Sequence, residues 1–116
     1  MGLFENLKDL DVNIEEGLDR FMGNASLYKR MIGKFVTMME STSIQSDFDS
    51  KNYTQIMEKA HSIKGVAGNL SISPLYKAYS DIVTLLRNNE PEKAKEVFDG
   101  ILPIQAKILD CIKKDI

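Results

Sequence analysis

Tryptophan is absent from this chain of 116 residues, and histidine and cysteine occur once each. The lone cysteine, Cys111, excludes an internal disulfide. One histidine and one cysteine cannot assemble a zinc site of the usual four-ligand kind. No apolar run is long enough to span a membrane. The start, Met1-Gly2-Leu3-Phe4-Glu5, lacks the basic n-region and long apolar h-region of a signal peptide. Gly2 follows Met1, but Asn6 stands where a myristoylation signal has Ser or Thr. An excess of basic charge is missing too. The formal net charge is −2, which argues against a nucleic-acid surface. No segment alternates with period two, so no sheet is expected. No glycine-rich phosphate loop follows a strand, so the chain is not expected to bind ATP by itself. No serine or cysteine has a second histidine or other evident base to activate it. These absences point to a cytoplasmic, single-domain protein with no self-contained active site.

What is present is helical periodicity. Leu3, Phe4, Leu7 and Leu10 predict a short amphipathic helix. Asn13 caps a second helix that runs through Met22 and ends at Gly23, with Ile14, Leu18 and Phe21 on its apolar side. Asn24 is the next cap. Leu27, Met31, Phe35, Met38 and Met39 mark a long helix to about Ser41. The polar stretch Ser41 to Asp47 reads as a loop, and Asp49 or Ser50 caps the helix after it. In the next pair of helices, Ser73 suits a cap and Pro74 the first helical position, followed by Leu75, Tyr79, Ile82, Val83 and Leu86. Pro91 opens the last helix, whose apolar positions run from Ala94 through Val97, Phe98, Ile101, Leu102, Ile104, Ile108 and Leu109 to Ile112. Gly100 and Pro103 are candidate bend points within it.

The helix after Ser50 carries the most informative stretch. Tyr53, Ile56, Ala60, Ile63, Ala67 and Leu70 form an apolar seam. At about 100° per residue, His61, Lys64, Gly65 and Gly68 form a second stripe roughly 130° around the helix. Each glycine there costs about 1 kcal/mol relative to alanine. Such a stripe leaves room for something to approach an exposed histidine. An ordinary surface histidine, with glycines that admit a neighbouring helix, fits the same pattern.

The run His61-Ser62-Ile63-Lys64-Gly65-Val66-Ala67-Gly68-Asn69-Leu70 resembles the signature of histidine-containing phosphotransfer (HPt) domains, H-x-[LI]-K-G-x-A-x-x-L. The glycine that usually follows is Ser71 here, which predicts a changed helix end without lost chemistry. An A-x-x-L-E run common in the next helix of the family has Tyr79, Ile82 and Val83 at its places. The resemblance implies that His61 accepts a phosphoryl group from the aspartyl phosphate of a response-regulator receiver domain and passes it to another receiver. Lys64 would offset the phosphoryl charge. Gly65 and Gly68 would let the partner's loops come close, and Met57 at the stripe's edge would add apolar contact. A hybrid sensor histidine kinase would stand upstream, and Mg2+ would be held by the receiver and not by this chain.

The expected fold is all-α. An up-down-up-down antiparallel four-helix bundle spans 24–116, and short N-terminal helices in 1–23 cover one end. The expected protein is a monomer that engages neither nucleic acid nor membrane. Two other classes fit an all-helical chain. One is a helical protein–protein interaction module that keeps this fold without phosphotransfer. The other is a four-helix metal or cofactor domain, which the lack of inward-facing His and Glu-x-x-His pairs disfavours.

Overall fold

Three asparagines set the frame of the protein, whose computed structural model describes residues 2–115. The side chains of Asn13, Asn24 and Asn52 accept hydrogen bonds from the backbone N–H of Glu16, Leu27 and Gln55, at 3.2, 3.0 and 3.3 Å. Each satisfies an N–H that the first helical turn leaves without a partner. The described residues form seven helices and no strand. They are α1 Leu3–Lys8, α2 Ile14–Arg20, α3 Ala25–Glu40, α4 Gln45–Asp49, α5 Tyr53–Asn69, α6 Ser73–Arg87 and α7 Pro91–Lys114.

Five of the seven helices close on a left-handed residue that is not glycine. Asp11, Met22, Lys51, Ser71 and Asn89 have φ between +56° and +67°. The N–H after each reaches back to the preceding helix: Val12 to the Leu7 carbonyl, Gly23 to Leu18, Asn52 to Asp47, Ile72 to Ala67 and Glu90 to Leu85, at 2.8–3.1 Å. This is the Schellman closure, normally built on glycine. Gly23 therefore does not close α2 in the way expected. The helix stops at Arg20, Met22 takes the left-handed position, and Gly23 follows it.

Several further expectations are corrected. The Ser41 to Asp47 loop is partly helical, because α4 begins at Gln45. Burial of Ile44 and Phe48 drives this, with the Phe48 ring 5.3 Å from that of Phe98. Asp49 belongs to α4 and Ser50 ends it, so Asn52, not Asp49 or Ser50, caps α5. Helix α6 begins at Ser73 itself, with Ile72 at the cap position and Pro74 at the second helical position. The buried face of α3 is Tyr28, Ile32, Phe35, Val36 and Met39, while Leu27, Met31 and Met38 are half-buried. Packing against α1, α2, α5 and α7 rotates the buried stripe of α3 away from the simplest reading. Ile104, expected on the apolar face of α7, is exposed.

The buried apolar side chains form one cluster fed by all seven helices. Helix α6 packs along both α5 and α7, and α3 touches α5 and α7. The whole measures 40 × 24 × 21 Å. Among the described residues no helix is long and apolar enough to cross a membrane.

Candidate functional site

Burial of one face of α5 orients the other. Ile56, Ala60, Ile63, Ala67 and Leu70 are buried, and Tyr53 is half-buried at the helix start. A fully buried Ile or Leu contributes about 1.5–3 kcal/mol, so this seam fixes the rotation of the helix. His61 and Gly65 are consequently exposed, and Lys64, Gly68 and Met57 are half-buried. Lys64 lies one turn from His61, within the spacing at which helix side chains meet.

The two glycines of the stripe differ. A Cβ added to Gly65 would meet nothing within 4 Å. A Cβ added to Gly68 would lie 2.9 Å from Cδ1 of Tyr76, on α6. Gly68 therefore has a packing reason to be glycine, independent of any partner, whereas Gly65 presents bare backbone to open space.

Two concavities flank His61. One has a volume of about 370 Å³ and is lined by His61, Lys64, Gly65, Gly68, Asn69, Ser71 and Tyr76, together with Glu16 and Arg20 from α2. The other, of about 420 Å³, is lined by Tyr53, Thr54, Met57, Glu58, His61 and Arg87. Met57 thus borders the histidine on the side away from Gly65. A larger apolar groove of about 630 Å³ runs between α3 and α5, lined by Phe21, Met31, Phe35, Met38, Val66 and Leu70, with Arg20, Lys34 and Asn69 also on its wall.

Helix α2 is held against the end of α5 by a set of specific contacts. Ser71 is buried, and its hydroxyl donates to Glu16 Oε1 at 2.8 Å. The N–H of Asn13 donates to the Ser71 carbonyl at 2.9 Å. The Tyr28 phenol donates to the Leu70 carbonyl at 2.7 Å. Gly17 lets α2 lie directly on that phenol, since a Cβ there would be less than 2.5 Å from its oxygen. Carbonyls that the C-terminus of α5 leaves free are satisfied in this way. Desolvation, with the Glu16 carboxylate adding to it, pushes the Tyr28 phenol up to about 12. Ser71 also sets the end of α5. It adopts the left-handed conformation that glycine takes most easily, at a strain of about 1–2 kcal/mol, and its hydroxyl gains the bond to Glu16.

Arg20, Glu16, Asn69, Tyr76 and Arg87 were not legible as site residues. Arg20 and Glu16 lie on a separate helix some 40 residues upstream of His61, and no spacing rule links them to it. Among the described residues no group of three or more His, Cys, Asp or Glu side chains could hold a metal ion. Compared with family models, curated proteins and solved structures, the chain matches none.

Proposed function

We propose that this protein is a phosphorelay intermediate of the histidine phosphotransfer kind, with His61 as the phosphorylated residue. The observation that carries the reading is an exposed, solitary histidine with a lysine one turn away and a side-chain-free patch at Gly65 beside it. In this reading α3, α5, α6 and α7 make an antiparallel up-down-up-down four-helix bundle of the HPt type. The segment 2–23 covers the end where α5 finishes. The protein acts in the cytoplasm as a monomer. It receives from, and delivers to, receiver domains that carry their own Mg2+, downstream of a hybrid sensor histidine kinase.

The chemistry asks little of the chain. A ring nitrogen of neutral His61 attacks the phosphorus of an aspartyl phosphate. The N–P bond forms as the P–O bond to the aspartate breaks, and the aspartate leaves as a carboxylate. The proton on the other ring nitrogen stays in place. Lys64 stabilises the phosphoryl oxygens electrostatically, and the open backbone at Gly65 admits the partner's loops for in-line approach.

A helical interaction module without transfer is the second reading, favoured by the apolar groove between α3 and α5. One experiment separates the two. A phosphorylated receiver is mixed with the protein, and label is followed on this chain. The relay reading expects an acid-labile, alkali-stable adduct that disappears in a folded His61→Gln variant. Label that persists in the variant refutes His61, and a wild-type chain that binds the receiver but never acquires label leaves the interaction module.

A further inference from the structure

We propose that Arg20 is a second cation for the phosphoryl group of His61, held in reserve by Glu16 and delivered from α2. The inference rests on the phosphorelay reading above. Arg20, Lys64 and His61 line the same concavity. Helix α2 meets α5 at Ser71, so Arg20 approaches from the C-terminal end of α5. Gly68 is seven residues beyond His61, about 10 Å along the axis at 1.5 Å per residue. Gly65 lies between them and offers no side chain to block a long guanidinium.

The backbone of α2 is fixed while the Arg20 side chain is not. Gly17 on Tyr28, Asn13 on the Ser71 carbonyl and Ser71 on Glu16 lock the helix in place. Arg20 itself makes only a loose contact with Glu16, at 3.5 Å, and both side chains are about half exposed. An exposed pair four residues apart on a helix contributes little. Glu16 also accepts a shorter hydrogen bond from Ser71, at 2.8 Å, which does not involve Arg20. A phosphoryl dianion is a stronger partner for a guanidinium, because it accepts two charge-assisted hydrogen bonds in a matching fork. Phosphorylation of His61 would therefore draw Arg20 off Glu16. The same geometry gives Glu16 an opposing role. Its carboxylate faces the cavity that receives the phosphoryl group, so loss of Arg20 both removes a cation and uncovers an anion.

The test uses the whole chain and phosphoramidate as a small-molecule donor. The P–N bond of the donor breaks, ammonia leaves with its electron pair, and His61 forms the new N–P bond. Phosphohistidine lifetime and the Arg20 side-chain Nε–Hε NMR resonance are recorded in parallel. Arg20→Ala should shorten the lifetime by about fivefold, Arg20→Lys should restore part of it, and Glu16→Gln should lengthen it. Glu16→Gln retains an oxygen that can accept from Ser71, so a purely structural role would not produce opposite signs at the two positions. The Arg20 resonance should move on phosphorylation of the wild type. Label on His61 with an unchanged lifetime in Arg20→Ala and a stationary Arg20 resonance overturns the assignment of Arg20 alone. Failure of His61 to take any label overturns both this inference and the functional reading beneath it.

Discussion

Three helical glycines near the α2–α5 junction should respond to the same substitution with three different results. Gly17→Ala places a methyl group where the Tyr28 phenol already sits, with Cζ of that ring within van der Waals overlap as well. Tyr28 is fully buried and packs its ring against Phe4 and Phe21, with centroids 5.5 and 5.3 Å away, so it has no free direction of retreat. If the phenol is displaced, the buried Leu70 carbonyl loses its partner, at about 1–3 kcal/mol. If it stays, overpacking costs about 1–3 kcal/mol. Alanine's better helix propensity returns up to about 1 kcal/mol. The net loss of roughly 1–2 kcal/mol corresponds to about 4–8 °C in Tm for a chain of this size. Gly65→Ala meets nothing within 4 Å and should instead gain up to about 1 kcal/mol, or about 4 °C. Gly68→Ala should lie within about 0.5 kcal/mol of neutral, because the clashing Tyr76 ring is 44% exposed and free to swing outward. Thermal melts of the three variants, with urea midpoints as a check, read this order directly. A Gly65→Ala protein that melts below wild type, or a Gly17→Ala protein that melts at or above it, would refute the account of this junction.

The alkaline limb of stability should follow Tyr28. Its phenol is raised above an unfolded value near pH ~10, so its contribution is complete below that pH and is lost as pH rises through about 12. A shift of that size corresponds to on the order of 3 kcal/mol, and Tyr79, whose phenol is raised by burial, adds in the same direction. Urea unfolding across this range, with tyrosinate absorbance recorded alongside, should show these phenols ionising together with loss of structure. Met22→Gly should raise stability by up to about 1 kcal/mol, since Met22 is 95% exposed and left-handed, and loses only strain. A fall in its urea midpoint would mean that the Met22 side chain contributes something else. Lys64→Ala should slow phosphotransfer by about tenfold, from about 1–2 kcal/mol of charge-assisted bonding, with helicity unchanged. An unaltered rate and phosphohistidine lifetime would leave Lys64 as a surface lysine.

Helical periodicity by itself determined which segments fold into the six longest-recognised apolar stripes, and the seam on α5 in particular. Ile56, Ala60, Ile63 and Ala67 repeat at spacings that only one helix face can bury, so the outward placement of His61 and Gly65 follows from covalent geometry. Asn13 and Asn24 were readable as caps because a short side-chain oxygen before an apolar repeat satisfies a local N–H. Tertiary contact decided the rest. Phe48 and Ile44 are drawn into the core, which makes a helix of a polar stretch and passes the α5 cap to Asn52. Neighbours on several sides of α3 chose Tyr28, Ile32 and Val36 over Leu27 and Met31. The distinction between Gly65 and Gly68, alike in sequence, exists only because Tyr76 of α6 covers one of them. Arg20 and Glu16 reach the His61 concavity through a hydroxyl on Ser71 and the phenol of Tyr28, contacts spanning 55 and 42 residues. A local pattern encodes a helix face, because a face depends on residues three and four apart. What covers or joins that face depends on residues distant in sequence, and only the packed chain brings them together.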